Sequence, residues 1–217
     1  MSRRSRLFVT AAVGASAALL LTACGGGADK PKANDKIAGA DTADKPSPSS
    51  SATAPQTGRP KIELPSDLTY TFEWPKTGDK DKDAVLSDSE QFIKAVDMAI
   101  AEQDPVHKAY RFYSEGTAAA GSQKFIQEFV RYKDRITGAK RYFNSKVAIN
   151  SDGTAGFVYC EDQNKAYNKS LKTGKTEVTP KSKDNYVLYQ SLLRVNKQGV
   201  WITEKLTSQR GSVACQS

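Results

Sequence analysis

Histidine is almost missing from this sequence: of 217 residues only His107 is one. A Ser-His-Asp arrangement needs a sheltered, oriented imidazole, and a zinc site needs three or four clustered ligands. One histidine and three cysteines argue against both. Also missing are a C-x-x-C redox pair, a haem-attachment motif and a glycine-rich phosphate loop; Gly25-Gly26-Gly27 precedes a linker, not a helix. Nothing repeats internally. The longest apolar stretch, Leu7 to Leu21, is too short and too rich in Ala and Gly for a good membrane-spanning helix. No cofactor and no metal are expected.

What is present begins with an export signal. Ser2-Arg3-Arg4-Ser5-Arg6 is a basic n-region, Leu7 to Leu21 an apolar core of signal-peptide length, and Leu21-Thr22-Ala23-Cys24 closes it. That last tetrad resembles the lipobox of bacterial lipoproteins, in which the cysteine thiol receives a diacylglyceryl group before cleavage in front of it. The resemblance implies a signal peptide at 1–23 and a membrane anchor through lipid on Cys24. It places the protein on the outer face of the cytoplasmic membrane, reaching into the cell wall. Ser2-Arg3-Arg4 also resembles the opening of a twin-arginine signal, although Arg6 stands where that motif prefers an apolar residue. A general secretory route and a twin-arginine route both stay open.

Loss of Arg3, Arg4 and Arg6 with the signal lowers Lys+Arg from 32 to 29 against 24 Asp+Glu, a net of +5. That is a mildly basic surface and not a nucleic-acid-binding signature. From Gly25 to Lys61 there is no aromatic residue and one large aliphatic, Ile37. Such a segment cannot bury enough apolar surface to offset its ordering entropy, so residues 24–64 read as a disordered linker. A flexible chain of that length spans on the order of 40 Å and would stand the remainder off the membrane.

Residues 65–217 read as one α+β domain. Leu68, Tyr70, Phe72 and Trp74 alternate with polar residues, a half-buried strand ended by Pro75. Lys76 to Asp83 reads as a charged loop, and Ser87-Asp88-Ser89-Glu90 has capping-box spacing for a helix that carries Phe92, Val96, Ala99 and Ile100 on one face. A second helix is predicted from Asp104-Pro105, with Val106, Ala109, Tyr110 and Tyr113 inward and His107 solvated. A third is predicted over about 122–137, with Phe125, Ile126, Phe129, Val130 and Ile136 inward and Gly138 as its stop. Strands then follow: 140–149, the turn Asn150-Ser151-Asp152-Gly153, 155–163, a polar ribbon turning near Lys172-Thr173-Gly174, Tyr186 to Val195, and Val200 to Thr207. In 155–163, Phe157 and Tyr159 share one face, Val158 and Cys160 the other.

Helices followed by a long antiparallel meander resemble the nuclear-transport-factor-like (cystatin-like) cone, in which helices close one side of a bent sheet. Phe72-Glu73-Trp74-Pro75-Lys76-Thr77-Gly78 and Cys160-Glu161-Asp162-Gln163-Asn164-Lys165-Ala166-Tyr167 are similar to segments of small secreted or lipid-anchored proteins of actinobacteria. The resemblance implies a cone-like domain with an N-terminal strand and helices on a curved sheet. It implies no activity, because the fold hosts enzymes and binding modules alike.

With Cys24 assigned to lipid, Cys160 and Cys215 remain in an oxidising compartment, and a structural disulfide is expected that pins the tail to the central sheet. Two further sets of residues are candidates. Tyr110, Tyr113, Tyr159, Tyr189 and Asp162 could face a pocket and, as the fold resemblance implies, carry Asp/Tyr acid–base chemistry; tyrosines on amphipathic elements are otherwise core walls. Lys165, Tyr167, Lys169, Lys172 and Lys175 could meet anionic cell-wall polymer or another envelope protein, or be a solvated ribbon whose lysines block edge pairing. The leading expectation is a lipid-anchored, non-catalytic binding or envelope-associated module. The runner-up is a small-molecule pocket protein. An inward carboxylate beside a tyrosine hydroxyl in an open cavity would favour the second.

Overall fold

The computed structural model describes residues 58–216. The signal segment, Cys24 and the linker up to residue 57 lie outside the described residues. Among the described residues no helix is long and apolar enough to cross a membrane.

Strand β1 (Leu68–Phe72) is followed by three helices, α1 (Lys80–Ala101), α2 (Lys108–Phe112) and α3 (Gly116–Tyr132). Strands β2 (Asp134–Ile149), β3 (Thr154–Ser170), β4 (Thr176–Glu177), β5 (Tyr186–Val195) and β6 (Trp201–Arg210) complete the chain, with short 3₁₀ turns at Lys183–Asn185 and Val213–Cys215. The sheet order is β1-β2-β3-β5-β6, with β4 on the far end of β3. All pairings are antiparallel except β1 with β2. The helices cover one face, which is the expected α+β cone.

The helices differ in detail from the sequence reading. Helix α1 begins seven residues before Ser87, because Asp79 caps it by accepting from the Asp81 and Lys82 amides at 2.9 and 3.1 Å. The residues with capping-box spacing therefore lie inside the helix. Asp88 and Ser89 are buried there beside Val85, Leu86, Phe92 and Ile93. Asp88 accepts from Arg59 and from the Trp201 amide at 2.8 Å, so it joins the entry of the domain to β6. Order thus starts by Arg59, ahead of the expected Leu64.

Asp104-Pro105 forms a turn instead of a helix start. The helix begins at Lys108, where His107 Nδ1 accepts from the Ala109 amide at 3.1 Å, and His107 Nε2 lies 3.0 Å from Glu102. His107 is therefore a cap with a mostly covered side chain, not a solvated residue, and it is Val106 that is half exposed. Helix α3 runs 116–132 and stops at Lys133 in the left-handed region, φ 60°. Ile136 and Gly138 consequently belong to β2. Gly138, at φ 96°, is tied to the Asp67 carbonyl at 2.7 Å, and a Cβ there would run into the Lys165 carbonyl.

Two irregularities interrupt the β2–β3 ladder. Ala139 pairs Lys165 and Arg141 pairs Asp162, so Gln163 and Asn164 together face Lys140. Phe143 pairs Cys160 and Lys146 pairs Val158, so Asn144 and Ser145 together face Tyr159. Bulges bend strands and re-aim side chains. The residues opposite them, Lys140 and Tyr159, are buried. On the opposite face Cys160 and Cys215 form the expected disulfide, Cα–Cα 5.6 Å, against Phe143, Tyr186 and Leu188.

Candidate functional site

Between the helices and the concave face of the sheet lies a cavity of about 710 Å³. Its helix-side wall is apolar, with Val96 from α1, Phe125 and Phe129 from α3 and Leu206 from β6, while Thr117, Glu177, Thr179, Ser208 and Arg210 make its exposed rim polar. Phe125 and Phe129 are one helical turn apart and pack edge to face at 5.2 Å, yet Phe125 is half exposed. The joint that holds α3 over the sheet is made of backbone: the Thr203 amide donates to Tyr113 O at 2.9 Å and the Glu115 amide to Thr203 O at 3.0 Å.

The floor is polar and charged. Asp97 on α1, Lys140 and Tyr142 on β2, Tyr159 and Glu161 on β3 and Tyr189 on β5 all line it. Lys140 Nζ stands 2.9 Å from Asp97 Oδ2 and 3.2 Å from Glu161 Oε1. Tyr142 donates to Glu161 Oε1 at 3.0 Å, Tyr189 to Oε2 at 2.9 Å and Gln163 to Oε2 at 2.8 Å. Asp97 has fewer partners: besides the lysine, Tyr70 donates to its Oδ2 at 2.8 Å. The sequence produces this cluster by period two. Tyr159, Glu161 and Gln163 follow one another on the inner face of β3, while Asp97 sits one turn after Ile93 on the buried side of α1.

The two carboxylates respond differently to the same lysine. Burial pushes Asp97 upward from the ordinary aspartate range, and the Lys140 ammonium and Tyr70 hydroxyl offset only part of that. Burial acts to raise Glu161 as well, but Lys140 and the three neutral donors outweigh it and hold Glu161 below its usual value. Burial works against the charged form of Lys140, and Asp97 and Glu161 reverse this and raise it. Tyr142, Tyr159 and Tyr189 are all pushed up, first by burial and then by the Glu161 charge, so they are donors.

Of the five pocket candidates from sequence, Tyr159 and Tyr189 line the cavity. Tyr110 and Tyr113 are core residues elsewhere; the first donates to Pro105 O at 2.7 Å and the second accepts from Arg59 at 3.5 Å. Asp162 is on the other face of β3, where its Oδ1 accepts from the Asn164 amide at 2.9 Å and Arg141 lies 3.8 Å away. The inward acids are its neighbour Glu161 and the helical Asp97. The signal for Glu161 was available: once Tyr159 is placed inward and Cys160 outward, alternation carries 161 in and 162 out. Lys140 left no comparable trace, since a lysine on a strand ordinarily reads as solvent-facing.

The lysine ribbon is divided. Lys165, Lys172 and Lys175 are exposed. Lys169 pairs with Asp67 at 2.9 Å, where Arg135 also binds at 2.7 Å, and together they hold that carboxyl far below the ordinary range. Tyr167 turns toward the cavity wall. No cluster of three or more metal-ligating side chains occurs among the described residues.

No protein-family model matches the chain, and no curated protein matches it. Solved structures with a similar outline include the intermembrane space region of the chloroplast protein ARC6 (12% identity, TM-score 0.38, 63% of this chain and 99% of that one). A ketosteroid isomerase-like protein from Erwinia carotovora atroseptica has 13% identity and a TM-score of 0.41, covering 62% of this chain and 98% of that one. ActVI-ORFA from Streptomyces coelicolor has 12% identity and a TM-score of 0.41, covering 59% and 96%. Likeness at this level bears on neither ligand nor activity, which rest on the cavity itself.

Proposed function

We propose that the protein is a lipid-anchored extracytoplasmic binding protein that holds a small amphiphilic molecule in the cone. The observation that carries the pocket is the pairing of an apolar wall with a buried, charged floor in a cavity of about 710 Å³. Ligand sites of roughly 300–1,000 Å³ are typically apolar with a few convergent polar groups. The anchor rests on Leu21-Thr22-Ala23-Cys24 and the basic n-region before it. The tether would stand the cone off the membrane into the wall layer, and exposed Lys165, Lys172 and Lys175 suit an anionic envelope polymer.

Two tests separate the parts of this reading. Replacement Cys24→Ser should move the protein from the membrane fraction to the medium or keep it as an unprocessed precursor that takes up no labelled fatty acid. Labelling that persists in the variant rejects the anchor. For the pocket, Gly121→Leu on α3 is informative. Gly121 is at the exposed rim and a Cβ there meets open space, so the helix should gain stability of about 1 kcal/mol while the mouth narrows. Organic extraction of protein purified from the native host should yield a stoichiometric small molecule from the unaltered chain and less from the variant. An empty extract in both, with no saturable binding of apolar probes, rejects the pocket.

A second reading has one observation in its favour. Asp97, pushed up by burial, and the Tyr159 hydroxyl share the cavity, and a carboxylate with a phenol donor can move a proton without histidine. Glu161 is unsuited to that work, because each of its oxygens already accepts two donors.

A further inference from the structure

The cavity floor carries charge opposite in sign to the chain, whose net is +5 without the signal segment. Asp97, Glu161 and Glu177 line the cavity against Lys140 and Arg210. Arg210 is exposed and turned to Gln163 Oε1 at 2.9 Å. On the floor itself one ammonium stands between two buried carboxylates, leaving one negative charge in excess when both are ionised.

Hydrogen-bond geometry shows where that excess is least satisfied. Glu161 Oε1 takes Tyr142 and Lys140, and its Oε2 takes Tyr189 and Gln163, which fills both oxygens. Asp97 Oδ2 takes Tyr70 and Lys140. Asp97 Oδ1 has only a 3.3 Å contact with the same ammonium, whose shorter bond goes to Oδ2. Asp97 is 2% exposed and lines the cavity, so this oxygen has little access to bulk water. Tyr159, which also lines the cavity, is 3% exposed, and its hydroxyl bonds to no other described residue. The Tyr159 ring is packed among Phe157 at 4.8 Å, Tyr189 at 5.0 Å, Trp74 at 5.4 Å and Tyr142 at 6.0 Å, which fixes its place on the floor.

We propose that the ligand of this cavity is an organic ammonium: a protonated amine head donating to Asp97 Oδ1, on an apolar body that reaches back to Val96, Phe125 and Phe129. A carboxylate or phosphate head is the wrong partner. Its only cation at the floor would be Lys140, which is already shared by two carboxylates that would repel it. The inference rests on the pocket reading above and narrows it to a ligand class.

Three probes with the same tail and different heads test it: dodecylammonium, dodecanol and dodecanoate, each kept below its micelle concentration. Binding to the chain from residue 25 onward, with its disulfide formed, is followed by tryptophan fluorescence. Trp74 packs edge-on against Tyr159 at 5.4 Å and Tyr142 at 6.0 Å and so reports the floor. The amine should bind about tenfold or more tighter than the alcohol, as expected for a charge-assisted hydrogen bond, and the carboxylate weakest. Asp97→Asn should bring the amine to the level of the alcohol and leave the alcohol unchanged. Equal affinities, or dodecanoate the tightest, overturn the ammonium assignment while the pocket stands. An amine preference that survives Asp97→Asn overturns it too, because the head would then sit elsewhere. Failure of all three to bind overturns the pocket itself. If Asp97→Asn does not fold, the ranking on the unaltered chain still decides.

Discussion

Replacing Lys140 with methionine should cost about 3–5 kcal/mol at neutral pH, the range for breaking a buried ion pair from one side. Methionine fills much of the lysine volume, so packing is nearly kept. What is lost is the ammonium 2.9 Å from Asp97 and 3.2 Å from Glu161, which leaves two buried carboxylates facing each other. The pH dependence should change as well. In the unaltered chain, Glu161 is held below its unfolded value, so its contribution is present above that value and lost as pH falls through the lower, folded one. Asp97 is raised and works the other way, costing stability as pH climbs past the ordinary carboxylate range. Without Lys140 both carboxyls are raised by burial, and protonation relieves both. Lys140→Met should therefore be more stable near pH 5 than near pH 8, measured by urea unfolding at each pH. A variant that keeps the pH profile of the unaltered chain would mean that water already screens the cluster. Adding Asp97→Asn should return part of the loss, since the pair is then removed from both sides.

The second large effect should come from the disulfide. Cys160 and Cys215 close a loop with a sequence separation of 55 residues, for which chain entropy alone gives about 4 kcal/mol. Against a typical domain stability of about 5–15 kcal/mol, this is a large share. Cys160→Ala with Cys215→Ala should lower the melting temperature by on the order of 10 °C. It should also free the tail after Arg210, uncovering Phe143, Tyr186 and Leu188 on the outer face. Faster amide exchange confined to the tail and to those strands would locate the effect. A loss under about 1 kcal/mol would show that the tail is held by its own bonds, such as the Ser212 amide to Tyr186 O at 3.3 Å. The cavity is on the opposite face of β3, so ligand binding at low temperature should survive the double replacement.

Several elements were legible because local chemistry dictates them. The alternation Leu68, Tyr70, Phe72 marked β1, Asn150-Ser151-Asp152-Gly153 marked the β2–β3 turn, and Tyr186–Val195 came out with its observed ends. Helix boundaries were less legible. Both Asp79 and Ser87 can cap, and the choice between them depends on Val85 and Leu86 finding the β-sheet to pack on. The run from Ser122 to Gly138 looked continuous because Ile136 continues a helical stripe. Only the turn at Lys133 and pairing with Asn168 on β3 put it in a strand.

By itself the sequence determined the class of structure, α+β with helices before a meander, and the cysteine pairing, because period, turn chemistry and cysteine count act over short distances or by elimination. Of the five pocket candidates it offered through the fold resemblance, Tyr159 and Tyr189 line the cavity. Tertiary structure decided the rest of the site. Lys140 shares the inner face of β2 with Tyr142, and it is tolerable there only because α1 brings Asp97 and β3 brings Glu161 within 3.2 Å. Those partners are 43 and 21 positions away in the chain, and a buried charge is defined by what surrounds it, not by its neighbours in sequence.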